Sequence, residues 1–139
     1  MIKIAIRRWE KNKDKILAEF KEKHPESYLD IVKTLIKHIS KGRCDSFSPD
    51  HNRITEIDHG HYQGTLVYVI GAKGYQPHRY WYTKSGYGSC SSCDTLQSIK
   101  DCNNELPTDW QAKQYQTLAL HLLQGLKEMG EYLEGERET

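Results

Sequence analysis

The run Gln63-Gly64-Thr65-Leu66-Val67-Tyr68-Val69-Ile70-Gly71 decides the fold. Thr, Val, Tyr and Ile suit a pleated, half-buried surface, and glycines bound the run on both sides, so a β-strand is predicted over Thr65 to Ile70. Strand side chains alternate, placing Leu66, Tyr68 and Ile70 on one face and Val67 and Val69 on the other. Neither face is built for water. A three-stranded sheet with every helix on one side would leave Val67 and Val69 in an apolar patch. Either helices cover both faces, which is the leading expectation, or the second face meets another chain.

Two more strands flank this one. Ile54 to Asp58 reads as a weaker strand, and Asp58-His59-Gly60-His61 as the hairpin turn after it, with Gly60 free to supply a positive φ. Beyond a turn over Gly71–Pro77, the third strand is expected from His78 through Tyr80, Trp81 and Tyr82 to Thr83. Short connections between sequential strands argue for an antiparallel meander, because parallel pairs need long crossovers.

Helices occupy both ends. Trp9, Ile16, Leu17 and Phe20 fall near helical spacing from Arg8 to Lys23, while Ile2, Ile4 and Ile6 leave the first residues open between a strand and an earlier helix start. Pro25 suits the first turn of a second helix, in which Tyr28, Ile31, Val32, Leu35, Ile36 and Ile39 form one stripe and Gly42 closes the end. Residues 43–53 are turn formers and predict a loop. A short helix over Leu96–Lys100 is capped by Asp94 or Thr95. Thr108 caps the last helix, with Trp110, Tyr115, Leu118, Leu122, Leu126 and Met129 as its apolar stripe and an end near Gly130. The fold class is therefore α+β: a three-stranded antiparallel meander packed with two N-terminal helices and one long C-terminal helix. Residues 1–139 form a single domain.

Composition agrees with an ordinary globular chain. Of 139 residues, 37% are hydrophobic and 28% charged, which is neither a disordered tract nor a fibre. No stretch approaches the roughly 20 apolar residues of a membrane span, and the first residues lack an export signal, so a cytoplasmic setting is expected. The net charge of +1 hides an asymmetry: residues 1–43 hold twelve Lys and Arg against six Asp and Glu, a local +6, leaving −5 for the remainder. Solvated helix faces are the expected explanation. Arg7-Arg8-Trp9 with Lys11, Lys13 and Lys15 could touch phosphate, and nucleic acid stays open as a partner, but no nucleic-acid motif accompanies them.

The chemistry-bearing candidates centre on Cys90-Ser91-Ser92-Cys93. Two thiolates at this spacing can converge on one zinc ion, yet zinc takes four ligands at about 2.0–2.3 Å and no second pair exists. Cys102 would stand about 12 Å away if a helix intervenes. That leaves Cys44, His51, His59, His61 or His78 at no diagnostic spacing. A redox pair before a helix start is the other reading, although thioredoxin-type motifs follow a strand of a βαβ unit. The expectation is a structural loop of reduced cysteines, with no cofactor, and Cys90 and Cys93 as the ligands if zinc binds. His59, His61 and His78 can serve as bases, but no nucleophile motif joins them. Gly71, Gly74, Gly86 and Gly88 match no nucleotide fingerprint and read as turn residues. Tyr and Trp are favoured in interfaces for their large area and low entropy cost. The contact residues expected are therefore Tyr80, Trp81, Tyr82, Tyr87 and Asp94.

Tyr62-Gln63-Gly64-Thr65-Leu66, Gly74-Tyr75-Gln76-Pro77 and the string Gly86-Tyr87-Gly88-Ser89-Cys90-Ser91-Ser92-Cys93-Asp94-Thr95-Leu96-Gln97 resemble a group of small uncharacterised proteins from phages and prophage-bearing bacteria. The closing Thr117-Leu118-Ala119-Leu120-His121 helix resembles theirs too, and the likeness covers about the last two thirds of the chain. Where many of that group carry glycine, this chain has Ser92. No activity and no catalytic residue come with the resemblance. It implies a mobile-element setting, in which small domains often bind and disable a host machine, CRISPR effectors among them. The expected function is thus a phage-type protein that binds and inhibits or modulates a host macromolecule, a protein or protein complex. The alternatives are a metal- or thiol-dependent enzyme at Cys90 and Cys93, and a homodimeric accessory protein.

Overall fold

A computed structural model describes residues 2–42, 47–60, 64–74, 79–87, 95–100 and 106–129. Helix α1 runs over Ile2–Glu22, α2 over Tyr28–Ile39, α3 over Thr95–Lys100 and α4 over Asp109–Gln124. Strands β1 (Pro49–Gly60), β2 (Gly64–Ala72), β3 (Tyr80–Tyr87) and β4 (Lys127–Glu128) form one sheet in the order β1-β2-β3-β4. Every pairing is antiparallel.

The N-terminal stretch resolves as helix. Ala5, Trp9, Ile16 and Phe20 are buried at intervals of four, seven and four residues, one continuous stripe, so helical periodicity prevails over the Ile2, Ile4, Ile6 alternation. In α2 the six stripe residues expected from sequence are all buried. Its N-cap is Ser27, and Pro25 lies before the helix rather than inside its first turn. The Asp30 carboxylate secures that entry by accepting from the Glu26 N–H at 2.8 Å. The helix ends earlier than Gly42 suggested: Ser40 is its C-cap and donates its N–H to the Ile36 carbonyl at 3.0 Å, while Gly42, two residues on, turns the chain with φ +72°.

The sheet corrects three expectations. It holds four strands, not three: β4 pairs Glu128 with Trp81 and Lys127 with Tyr82, and a two-residue strand carries no sequence pattern. β4 exists because α4 stops at Gln124, where Gly125 donates to the His121 carbonyl at 3.1 Å, instead of continuing toward Gly130. β1 also begins at Pro49, inside the segment expected to be loop. Its register shifts between Pro49 and Ile54, with Arg53 donating to the Ala72 carbonyl at 2.8 Å and pairing with Asp50 at 3.5 Å.

The helices form one layer on one face of the sheet. Tyr68 and Ile70 of β2 and Trp81 and Thr83 of β3 point into it and are buried, and Thr83 Oγ1 donates to the Leu122 carbonyl of α4 at 2.7 Å. The Trp81 ring stands edge-on to Phe47, with centroids 5.4 Å apart. α4 is capped by a reciprocal box. Thr108 Oγ1 accepts from the Gln111 N–H, and Gln111 Oε1 accepts from the Thr108 N–H. Gln111 Nε2, fully inside, donates to the Ile99 carbonyl at 2.9 Å and ties α3 to α4. Trp110 is a further correction. It is 60% exposed, because the buried positions of α4 are Gln111, Ala112, Tyr115, Ala119, Leu122 and Leu123 on the opposite side. No described helix is long and apolar enough to cross a membrane.

Candidate functional site

The outer face of the sheet is the first candidate. Register places Thr55, Val69 and Tyr82 in one row across β1, β2 and β3, and Ile57, Val67 and Lys84 in the next. Tyr80 stands on the same face, opposite Gly71. Among the described residues no helix packs on this side, so the expectation that helices cover both faces does not hold for α1 to α4. Ile57 is 44% and Tyr80 42% exposed, with Val67, Val69 and Tyr82 half-buried between them. Trp81 points the other way and is 1% exposed, so it belongs to the core and not to a contact surface. The alternation that puts Tyr80 and Tyr82 outside dictates this.

Tyr87 ends β3, and nothing is described of its side chain. Asp94, Cys90 and Cys93 lie outside the described residues, as do Cys44, Cys102, His61 and His78. The segment that follows the cysteines is anchored: the Leu96 N–H donates to the Tyr28 hydroxyl at 3.1 Å. The Tyr68 hydroxyl is buried beside the Glu56 carboxylate without a well-formed hydrogen bond. Burial pushes its pKa up, and the adjacent Glu56 carboxylate pushes it further. A neutral phenol results, not a base. Among the described residues no three His, Cys, Asp or Glu side chains gather as metal ligands.

A second feature was not foreseen from sequence. Lys37, His38, Lys41, Gly42, His51 and Lys73 line an open cleft of about 430 Å³ at the C-terminal end of α2. Lys37 Nζ donates to Glu19 Oε1, and Lys73 Nζ to the Ser40 carbonyl. Glu19 is desolvated, which raises its pKa, but Lys37 and Thr34 outweigh this and hold the carboxyl below the usual range. His38 is pushed down, chiefly by burial and also by Lys37 and Lys41, although Glu19 lies 3.4 Å from its Nε2. The one sequence signal was the basic excess of residues 1–43, since His51 and Lys73 come from distant segments.

No family model matches the chain, and no curated protein and no solved structure matches it.

Proposed function

We propose that this chain is a phage-type binding protein that docks a host protein through the outer face of its sheet and acts by occlusion. The observation that carries this reading is the row of Ile57, Val67, Val69, Tyr80 and Tyr82 on a face where no described helix packs, with Ile57 and Tyr80 exposed, since monomers rarely leave contiguous apolar surface open without use. Aromatic and branched side chains on a rigid sheet lose little entropy on binding, which favours them as anchors. The resemblance to phage and prophage proteins supports a host macromolecule as the partner. Immobilised protein incubated with lysates of candidate hosts, compared with Ile57→Asp and Tyr80→Ala, tests it. A stoichiometric partner retained by the wild type and lost by both variants is expected, with circular dichroism unchanged. Retention that ignores both substitutions, or no stoichiometric partner from any host, overturns it.

A further inference from the structure

Lys3, Arg7, Lys11 and Lys15 recur at every fourth position of α1, and all four are exposed. Among the described residues none of them is ion-paired. At 1.5 Å per residue they set one cation about every 6 Å along the helix, turning by about 40° at each step. The next step of four is Glu19, whose carboxylate receives Lys37 from α2. Glu19 thus links the end of the row to Lys37, which lines the cleft together with His38, Lys41, His51 and Lys73.

Compensation of the α2 C-terminus does not account for this charge. The helix end is equivalent to roughly half a negative charge, and it is already met by Lys73 on the Ser40 carbonyl, while Glu19 is met by Lys37. Lys41 and the α1 row are surplus. Counting Lys3, Arg7, Lys11, Lys15, Lys37, Lys41 and Lys73 against Asp14, Glu19 and Glu22 gives +4. The described residues together hold eighteen Lys and Arg against eleven Asp and Glu, an excess of +7, and this group supplies +4 of it. An excess of this size among the described residues sets up a positive field that favours an anionic partner.

We infer that this surface binds the phosphate backbone of duplex nucleic acid, independently of the sheet face assigned to a protein partner. Regularly spaced cations on α1, joined through Glu19 and Lys37 to a cationic cleft, suit a chain of phosphates, and neutralising phosphates releases condensed counterions. The duplex is favoured over a single strand because single strands are held by stacking on exposed aromatics, and the α1 aromatics Trp9 and Phe20 are both buried.

The test is fluorescence anisotropy with a labelled 20-base-pair DNA of arbitrary sequence, titrated at several salt concentrations. The expected result is binding at low salt that weakens log-linearly with salt. A Lys11→Glu/Lys41→Glu double variant should lose at least about 10-fold in affinity and flatten the salt slope by about two phosphate contacts. Lys113→Glu, on α4, should change affinity by less than about 2-fold. Thermal melts confirm that the variants fold. Absence of binding at low salt, affinity indifferent to the double variant, or equal binding of a single strand of the same length overturns the inference.

Discussion

The Arg8 guanidinium lies over the Phe47 ring, 5.2 Å from its centroid, and donates to the Phe47 carbonyl and, at 3.4 Å, to the Ile39 carbonyl. Arg8 is 5% exposed, so one side chain of α1 ties together the end of α2 and the segment entering β1.

Removing that tie leaves buried carbonyls unsatisfied and strips a cation from an aromatic face, each worth about 1 kcal/mol or more. Arg8→Ala is expected to destabilise by about 2–4 kcal/mol. Arg8→Lys should recover only part of this, because an ammonium lacks the planar fork. Urea denaturation checks it, read as a lower midpoint at unchanged slope. A loss within about 0.5 kcal/mol would place Arg8 among ordinary surface residues.

Adjacent residues of β3 should respond oppositely. Trp81→Ala empties a buried site against Phe47 and should cost about 3–5 kcal/mol. Tyr80→Ala, on the open face, should fall within about 0.5 kcal/mol and act on binding instead. Thermal melts of the two variants separate core from contact surface.

This pair also shows what the sequence could disclose. Alternation alone put Tyr80 and Tyr82 opposite Trp81, but it could not say which face the helices would choose. That choice depends on Thr83 meeting the Leu122 carbonyl, a contact some forty residues apart in the chain. The α2 stripe was legible because six residues repeat one period. β4 was not, because Lys127 and Glu128 join the sheet through backbone bonds that any residue type can make. The basic cleft escaped notice for a related reason: Lys37, His51 and Lys73 meet only after the chain has turned twice.

The Tyr68 hydroxyl supplies a prediction against intuition. It is buried beside the Glu56 carboxylate without a well-formed hydrogen bond, so Tyr68→Phe removes a poorly satisfied polar group while keeping the ring. Stability should be unchanged or rise by up to about 1 kcal/mol. Chemical denaturation decides: a loss beyond about 1 kcal/mol would mean that Glu56 accepts from the phenol in solution.

Acid should weaken the fold in two stages, both seated in the Glu19–Lys37–His38 cluster. His38 has a folded pKa below its ordinary 6.5 because burial disfavours the imidazolium. Above pH 6.5 neither the folded nor the unfolded chain protonates it. As pH falls through 6.5 the unfolded chain takes up the proton first, so stability declines until the folded value is passed. Glu19, held below its ordinary 4.5, contributes stability above that pH and loses it as pH falls through its lower folded value. Melting temperatures measured from pH 8 to pH 2.5 should therefore fall in both windows. His38→Gln should flatten the upper decline and leave the lower one, whereas Glu19→Gln should flatten the lower. An upper decline of the same steepness in His38→Gln would move its origin to another group.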